Sequence, residues 1–237
     1  MTHPDRYGTW RTLLPPIHPD GWPFIALAAV VTLVLFALSQ PLGWLALIAT
    51  LWVAAFFRDP WRVSPQSPGL ALAPADGEIV TIDRMAPPPE LEIGAQPMLR
   101  IEIFLSLVDV HINRTPLAGR VTRIAYRKGE FRDARETAAG SENERNAIAL
   151  DTADGAVGLV QIAGRVARRI RCDLVEGQHV VAGQRCGLIR FGSRAALYLP
   201  EQFQPLVHEG QRAIAGETVL ATLPGATAPS RESFITQ

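Results

Sequence analysis

Lysine is almost missing from this chain of 237 residues: Lys128 is the only one, and the other basic residues are arginines. An enzyme that forms a Schiff base on a lysine amine, or holds pyridoxal phosphate on one, would have to use Lys128. That residue lies in the polar stretch Tyr126-Arg127-Lys128-Gly129-Glu130, which reads as surface rather than pocket. Cysteine is scarce too. Cys172 and Cys186 have neither zinc-ligand spacing nor the numbers for a disulfide framework, and read as free thiols. Net charge is zero, with 23 basic and 23 acidic residues, which argues against a dedicated nucleic-acid binder. No metal is expected, because there is no His-x-His, His-x-x-x-His or carboxylate-rich loop. A nucleophile elbow and a phosphate-cradling glycine loop are also missing, which removes the motif-bearing hydrolase and nucleotide-binding readings.

Charge is missing altogether from residues 21–57, a nearly unbroken apolar stretch interrupted at Ser39-Gln40-Pro41. The two runs, 22–38 and 42–57, each have about 16 or 17 residues, near the short end for crossing a hydrocarbon core of about 30 Å. A helical hairpin with both ends on one side, or a single tilted crossing with the rest at the interface, fits this pattern. A secretory signal does not, because the stretch is too long and starts after twenty polar and mixed residues. Arg6 and Arg11 before the stretch and Arg58 and Arg62 after it favour the hairpin with both flanks in the cytoplasm. All five tryptophans (Trp10, Trp22, Trp44, Trp52 and Trp61) lie in or beside this region, as interfacial indoles do. The expected division is therefore 1–63 for the N-terminal segment and membrane anchor, and 64–237 for one water-exposed domain.

That domain opens with a loop, Ser64-Pro65-Gln66-Ser67-Pro68-Gly69, and continues as short apolar runs punctuated by Gly, Pro and Asp. Period-two alternation predicts strands over 77–82, 99–105 and 119–126. Further strands are expected at 147–150, 157–162, 166–172, 186–190, 195–199 and 218–221, with one short helix over 135–144. The fold class is β-dominated. One internal repeat stands out: Glu176-Gly177-Gln178 with Ala182-Gly183 recurs 33 positions later as Glu209-Gly210-Gln211 with Ala215-Gly216. It resembles the hammerhead turns of biotinyl and lipoyl barrel-sandwich domains, so a barrel-sandwich-like domain behind a helical anchor is expected. Neither copy carries the lysine of a swinging-arm hairpin, which argues against a carrier role.

Of the histidines, His3 and His18 precede the anchor and His179 sits in the first repeat, leaving His111 and His208 for proton transfer near neutral pH. Asp76, before Gly77, and Asp109, two before His111, are carboxylates in suggestive settings. Gly192-Ser193 falls between two strand-like runs. Such a pair is a turn far more often than a catalyst, yet it has one unusual capability. A serine hydroxyl can attack the carbonyl of its preceding residue in a strained loop, and glycine there removes the Cβ that would crowd the attack. The peptide becomes an ester, elimination breaks the chain, and the new N-terminus becomes a pyruvoyl ketone.

Four segments then carry a resemblance to phosphatidylserine decarboxylase proenzymes of the short bacterial type. Arg190-Phe191-Gly192-Ser193-Arg194 resembles that family's self-cleavage site, and Pro74-Ala75-Asp76-Gly77 its acidic turn. The run from Phe104 through Asp109, His111 and Arg114 to Pro116 is similar to its histidine segment, and Asn143-Glu144-Arg145-Asn146 to another short signature. The resemblance implies cleavage between 192 and 193, giving a β chain 1–192 and an α chain 193–237, with Ser193 converted to pyruvoyl and no added organic cofactor. It implies release of carbon dioxide from phosphatidylserine through an imine with that group, at the cell membrane with the catalytic domain on the cytoplasmic side. On this reading His111 transfers protons, Asp76 supports self-cleavage, and a homodimer stays open. Longer members carry a second histidine three residues after the first, where this chain has Arg114. Arginine cannot act as a base, so His111 does both jobs or His208 completes the set, and Arg114 is free for the substrate phosphate or carboxylate. The competing readings are a pyruvoyl decarboxylase of a soluble amino acid and a membrane-anchored barrel-sandwich adaptor without chemistry.

Overall fold

The computed structural model describes residues 15–133, 139–165, 169–190, 192–230 and 233–237. His3, Arg6, Trp10, Arg11, Arg135, Phe191 and the stretch 166–168 therefore lie outside the described residues. The chain divides into two units, Met1–Trp61 and Arg62–Gln237.

The first unit contains helices α1 (Trp22–Leu38) and α2 (Gln40–Phe56), joined at Ser39, whose extended backbone breaks the helical run. Pro23 and Pro41 each fall in a first turn, where a missing N–H leaves no bond unmade. The two helices pack against each other as a hairpin. Gly43 lets the ring of Phe36 approach so closely that a Cβ there would lie 2.2 Å from it. The hydroxyls of Thr32 and Thr50 meet across the pair at 2.9 Å. At the open end His18 N–H donates to the Phe57 carbonyl (2.8 Å) and Asp59 N–H to that of Pro16 (2.7 Å), stitching the two ends together. Leu27, Leu33, Leu38, Leu45 and Ile48 point outward, each at least 65% exposed. A soluble protein's core hairpin would bury such side chains; here they form an apolar exterior that water does not favour. Pro19–Leu38 is long and apolar enough to cross a membrane, and Gln40–Phe56 is shorter.

The second unit is built of strands β1 (Val63–Pro65), β2 (Leu70–Leu72), β3 (Gly77–Met85), β4 (Met98–Leu105), β5 (Ile112–Arg114) and β6 (Gly119–Arg127), then β7 (Arg145–Thr152), β8 (Gly155–Ala163), β9 (Ile170–Cys172) and β10 (His179–Val180). The series ends with β11 (Arg185–Ile189), β12 (Ser193–Leu199), β13 (Gln204–Pro205), β14 (Arg212–Ala213), β15 (Val219–Thr222) and β16 (Phe234–Thr236). A single turn of helix, α3 (Ala139–Glu142), occupies part of the expected 135–144 helix. The β-dominated expectation holds. The loop expected from Ser64 does not begin there, because Ser64 and Pro65 pair with Ile235 and Phe234 in a β1–β16 ribbon.

The main sheet has the order β10-β6-β7-β8-β12-β4-β3-β14, flanked by two three-stranded sheets, β5-β11-β9 and β13-β15-β2. This order reads the same from either end once β10 is matched to β14, β6 to β3, β7 to β4 and β8 to β12. The bulges match as well, at Val121/Arg123 in the β6–β7 pair and at Ile79/Thr81 in the β3–β4 pair. The repeat noticed in the sequence supplies matching corners. Glu176 Oε1 accepts from Ile124 N–H and Glu209 Oε1 from Ile82 N–H, both at 2.8 Å. Gln178 and Gln211 turn back on Val175 and His208 in the same way. The domain is thus two copies of one half-motif. One runs β5 to β11 without interruption. The other, β2-β3-β4 and β12-β13-β14-β15, is split, and the first copy is inserted between β4 and β12. Where the uninterrupted copy joins β7 to β8 by the tight turn 152–155, the split copy leaves at Leu105 and returns at Ser193.

One buried cluster, including Ile79, Ile101, Ile103, Leu105, Leu150, Leu159, Leu197 and Phe203, fills the inner face of the main sheet. A smaller one around Leu91, Met98, Val160, Ile162 and Tyr198 covers the other face. Alternation along β12 sends Ser193, Ala195, Leu197 and Leu199 toward the first, and Arg194, Ala196 and Tyr198 toward the second.

Candidate active site

Ser193 stands at the point where the inserted half rejoins the sheet. It opens β12, a central strand paired with β4 on one side and β8 on the other, so that Ser193 lies between Leu105 and Ala163. Its side chain is fully buried, and among the described residues Oγ has no hydrogen-bond partner. Leaving a buried hydroxyl unpaired costs about 1–3 kcal/mol, a cost that native cores seldom carry. Gly192 precedes it at φ +63°, the left-handed region where a side chain is strained. A Cβ there would meet nothing closer than Leu107 Cδ2 at 3.9 Å, so backbone conformation rather than crowding demands the glycine.

His111, also fully buried, meets the backbone N–H of Gly192. Its Nδ1 lies 3.0 Å from the Asp109 carbonyl, which can only accept, so Nδ1 carries the proton. Nε2 is left as an acceptor and receives the Gly192 N–H at 3.4 Å. Nε2 thus accepts from the backbone N–H of the residue whose carbonyl forms the Gly192-Ser193 bond, and an imidazole nitrogen that accepts is of the kind a general base requires. The loop leading to it is braced by the Asp109 carboxylate, which accepts from Ser106 N–H (2.9 Å) and Oγ (2.6 Å) and pairs with Arg212.

Asp76 sits on the turn just before β3. Its Oδ2 pairs with Arg62 at 2.7 Å and its Oδ1 accepts from Ala215 N–H at 2.8 Å. The next residue, Gly77, packs so close to the end of β4 that a Cβ would sit 2.1 Å from the Phe104 carbonyl oxygen. Ser193 is on the opposite side of that strand, so the backbones of Gly77 and Ser193 lie two strand spacings apart, roughly 9–10 Å.

Arg114 is 1% exposed, with Nη1 on the Gly183 carbonyl (2.8 Å) and Nη2 toward that of Gln237 (3.5 Å). Its guanidinium holds two backbone segments together rather than facing open space for a substrate, contrary to the expectation for it. His208 is exposed on the second repeat turn, beside Ile82 and Glu209. Ile82 pairs with Ile101 whereas Ser193 pairs with Leu105, a separation of about 13 Å along β4 in addition to the strand spacing. His208 is therefore not assembled with Ser193 and His111.

Sequence reasoning missed a buried chain of amides linking three of the quoted segments. Asn146 donates to Gln161 (2.9 Å), Gln161 to Asn113 (2.8 Å), and Asn113 to the Pro74 carbonyl (3.4 Å), which also receives Arg114 N–H (2.9 Å). Asn143 donates to the carbonyl of Ala163, the residue paired with Ser193. The one sequence signal was Gln161, a polar residue within the apolar run Leu159-Val160-Gln161-Ile162. On the other face of β12, Arg194 and Glu102 form a buried ion pair at 2.7 Å. Nearby, burial would push Glu90 up, but hydrogen bonds from Arg145 and Arg127 outweigh it and hold the carboxyl at about 2.

The fold and site together define a β-dominated domain, behind an apolar hairpin, that holds a glycine–serine bond beside a buried histidine. Sequence comparison is consistent with the same family at every level. The phosphatidylserine decarboxylase family profile matches residues 49–221. The chain is 53% identical over 206 residues to a phosphatidylserine decarboxylase proenzyme of Beijerinckia indica, covering 87% of this chain and 89% of that protein. It is 52% identical over 212 residues to the proenzyme of the same name from Nitrobacter winogradskyi, covering 89% and 86%. This chain belongs to the phosphatidylserine decarboxylase family.

Proposed function

We infer that this protein decarboxylates phosphatidylserine to phosphatidylethanolamine, using an electrophile made from its own Ser193. The observation that carries this reading is the buried Ser193 hydroxyl, without a hydrogen-bond partner among the described residues, behind a left-handed glycine whose own N–H is held by His111 Nε2. Ser193 Oγ adds to the Gly192 carbonyl carbon while His111 takes the hydroxyl proton, and the C–N bond breaks to leave an ester and a free amine. Removal of the Ser193 Cα proton expels the Gly192 carboxylate. The remaining enamine takes up water and releases ammonia, leaving a ketone at the head of the small chain. The residues present suit such a group: conversion removes the orphan hydroxyl, and the surrounding wall is the apolar pair Leu105 and Ala163. The pyruvoyl group supplies a carbonyl that condenses with the substrate amine and accepts the electron pair left by departing carbon dioxide. His111 then returns a proton to the former α-carbon. Asp76, fixed by Arg62, supports the cleavage step from the neighbouring turn.

Cleavage gives chains 1–192 and 193–237, which stay together because β12 is hydrogen-bonded along both edges within the sheet. The apolar hairpin holds the domain at the cell membrane, where the acyl chains of the substrate remain, and flanking Arg58 and Arg62 favour the cytoplasmic side. The test is intact-mass measurement on protein taken from its native membrane, with turnover of phosphatidylserine and free serine compared. Two fragments from the wild type, one chain from Ser193→Ala and activity on the phospholipid alone are expected. An unbroken wild-type chain with activity would overturn the reading.

A further inference from the structure

The turn 106–109 lies two residues before His111, and its construction is unusual. Asp109 N–H donates to the Ser106 carbonyl (3.0 Å), and the Asp109 carboxylate returns to Ser106 N–H and Oγ. Polar residues at both ends thus lock the turn, and Arg212, on β14, grips the same carboxylate. The tip of a locked, solvent-facing turn is ordinarily polar or glycine. Here it is Leu107 and Val108, which are 42% and 66% exposed. Rigid bracing means these apolar groups are held out rather than flapping out.

Their location gives the exposure meaning. Ser193 is fully buried, while Gly192 beside it is only partly covered, so the linkage is approached from the Gly192 side. A Cβ built on that glycine would point toward Leu107, whose Cδ2 lies 3.9 Å away. A diacyl phospholipid whose amine reaches Ser193 has to leave its glycerol and acyl chains at the surface around this approach. We propose that the Leu107-Val108 turn is a lipid-contacting edge of the active site, entering the acyl region of the bilayer so that one headgroup can be drawn in. This rests on the phospholipid reading above and adds the residues that favour a membrane-resident substrate over a dissolved one.

The experiment uses the full chain reconstituted in phosphatidylcholine vesicles. It compares turnover of long-chain phosphatidylserine in the bilayer with that of dihexanoyl phosphatidylserine supplied in the water. Replacing both tips by serine removes two side chains' worth of apolar transfer, and the ratio of long-chain to short-chain turnover is expected to fall about tenfold or more. Leu107→Phe with Val108→Met, apolar but different in shape, is expected to keep the wild-type ratio. Intact mass establishes that each variant has cleaved. An unchanged ratio in the serine variant, or an equal fall in the Phe/Met variant, overturns the proposal. A wild type inactive on both lipids overturns the underlying function instead.

Discussion

Gly192 donates its backbone N–H to Nε2 of His111 although the two are 81 positions apart in sequence. They are the two ends of one insertion. His111 enters the inserted half-motif shortly after β4 ends, and Gly192 leaves it just before β12 begins. In the uninterrupted copy the same junction is the hairpin turn 152–155, closed by Thr152 and Gly155 of the turn itself. The Gly192-Ser193 linkage therefore sits where the fold has a seam, and the histidine is delivered by the other side of that seam.

Replacing His111 by alanine removes the acceptor at this seam and the group proposed to take the Ser193 proton. Self-cleavage is expected to slow by at least about a hundredfold, the usual worth of a positioned base. A time course of intact mass after synthesis measures it. Maturation at the wild-type rate would exclude His111 from the step.

Gly192→Ala asks a residue with a Cβ to hold φ +63°, at a cost of about 1–2 kcal/mol. Space is available, so the cost is conformational, and the backbone is expected to relax toward negative φ and carry the carbonyl away from Ser193 Oγ. Slower cleavage is expected, and in a Ser193→Ala background a lower denaturation midpoint. An unaltered midpoint would mean that the left-handed conformation is not held in solution.

The longer strands were legible because their two faces differ. Leu99-Arg100-Ile101-Glu102-Ile103 alternates between the core and a face of buried ion pairs. β2 and β5 are buried at every position, so they have no alternation to read. The turn repeat was visible because Glu176 and Glu209 use side chains for a backbone task, whereas the matching of β3 to β6 and β4 to β7 is carried by backbone pairing that different residues satisfy equally well. Ser193 and His111 stood out through their neighbours in sequence. Asn113, Gln161 and Arg62 did not, because each acts through a partner distant in the chain.

Gln161→Leu tests the amide chain. The substitution removes one donor and one acceptor and leaves Asn113 and Asn146 short of a partner inside the core. A loss on the order of 2–4 kcal/mol is expected from two unsatisfied buried groups. Urea denaturation in the Ser193→Ala background measures it, and a loss below about 0.5 kcal/mol would show that the chain is wet or loosely held.

Arg62→Ala removes the guanidinium on Asp76 Oδ2 and leaves the Ala215 N–H on Oδ1. Arg62 is itself seated by a reciprocal backbone pair with Gln237, at 2.8 and 2.9 Å, on the C-terminal side of the proposed cleavage point. The half-buried pair is worth on the order of 1–3 kcal/mol, between surface and buried values. Maturation should slow severalfold and recover in Arg62→Lys, which keeps the charge. Failure of lysine to restore any of the rate would point to packing rather than charge.

Glu90 gives a pH dependence with a definite sign. Its carboxyl is held at about 2 against an ordinary value of 4.5, so folding favours the ionised form. Stability from this site is fully present above pH 4.5 and is lost as pH falls from there through 2. Glu90→Gln removes the titration and the charge that Arg145 and Arg127 share. The variant should be less stable than the parent at pH 6, and the gap should narrow on acidification from pH 4.5 toward pH 2. Thermal midpoints of the two Ser193→Ala proteins across that range supply the comparison. A gap of constant size would mean that Glu90 keeps its ordinary pKa in the folded state, and that the two arginines hold it by geometry alone.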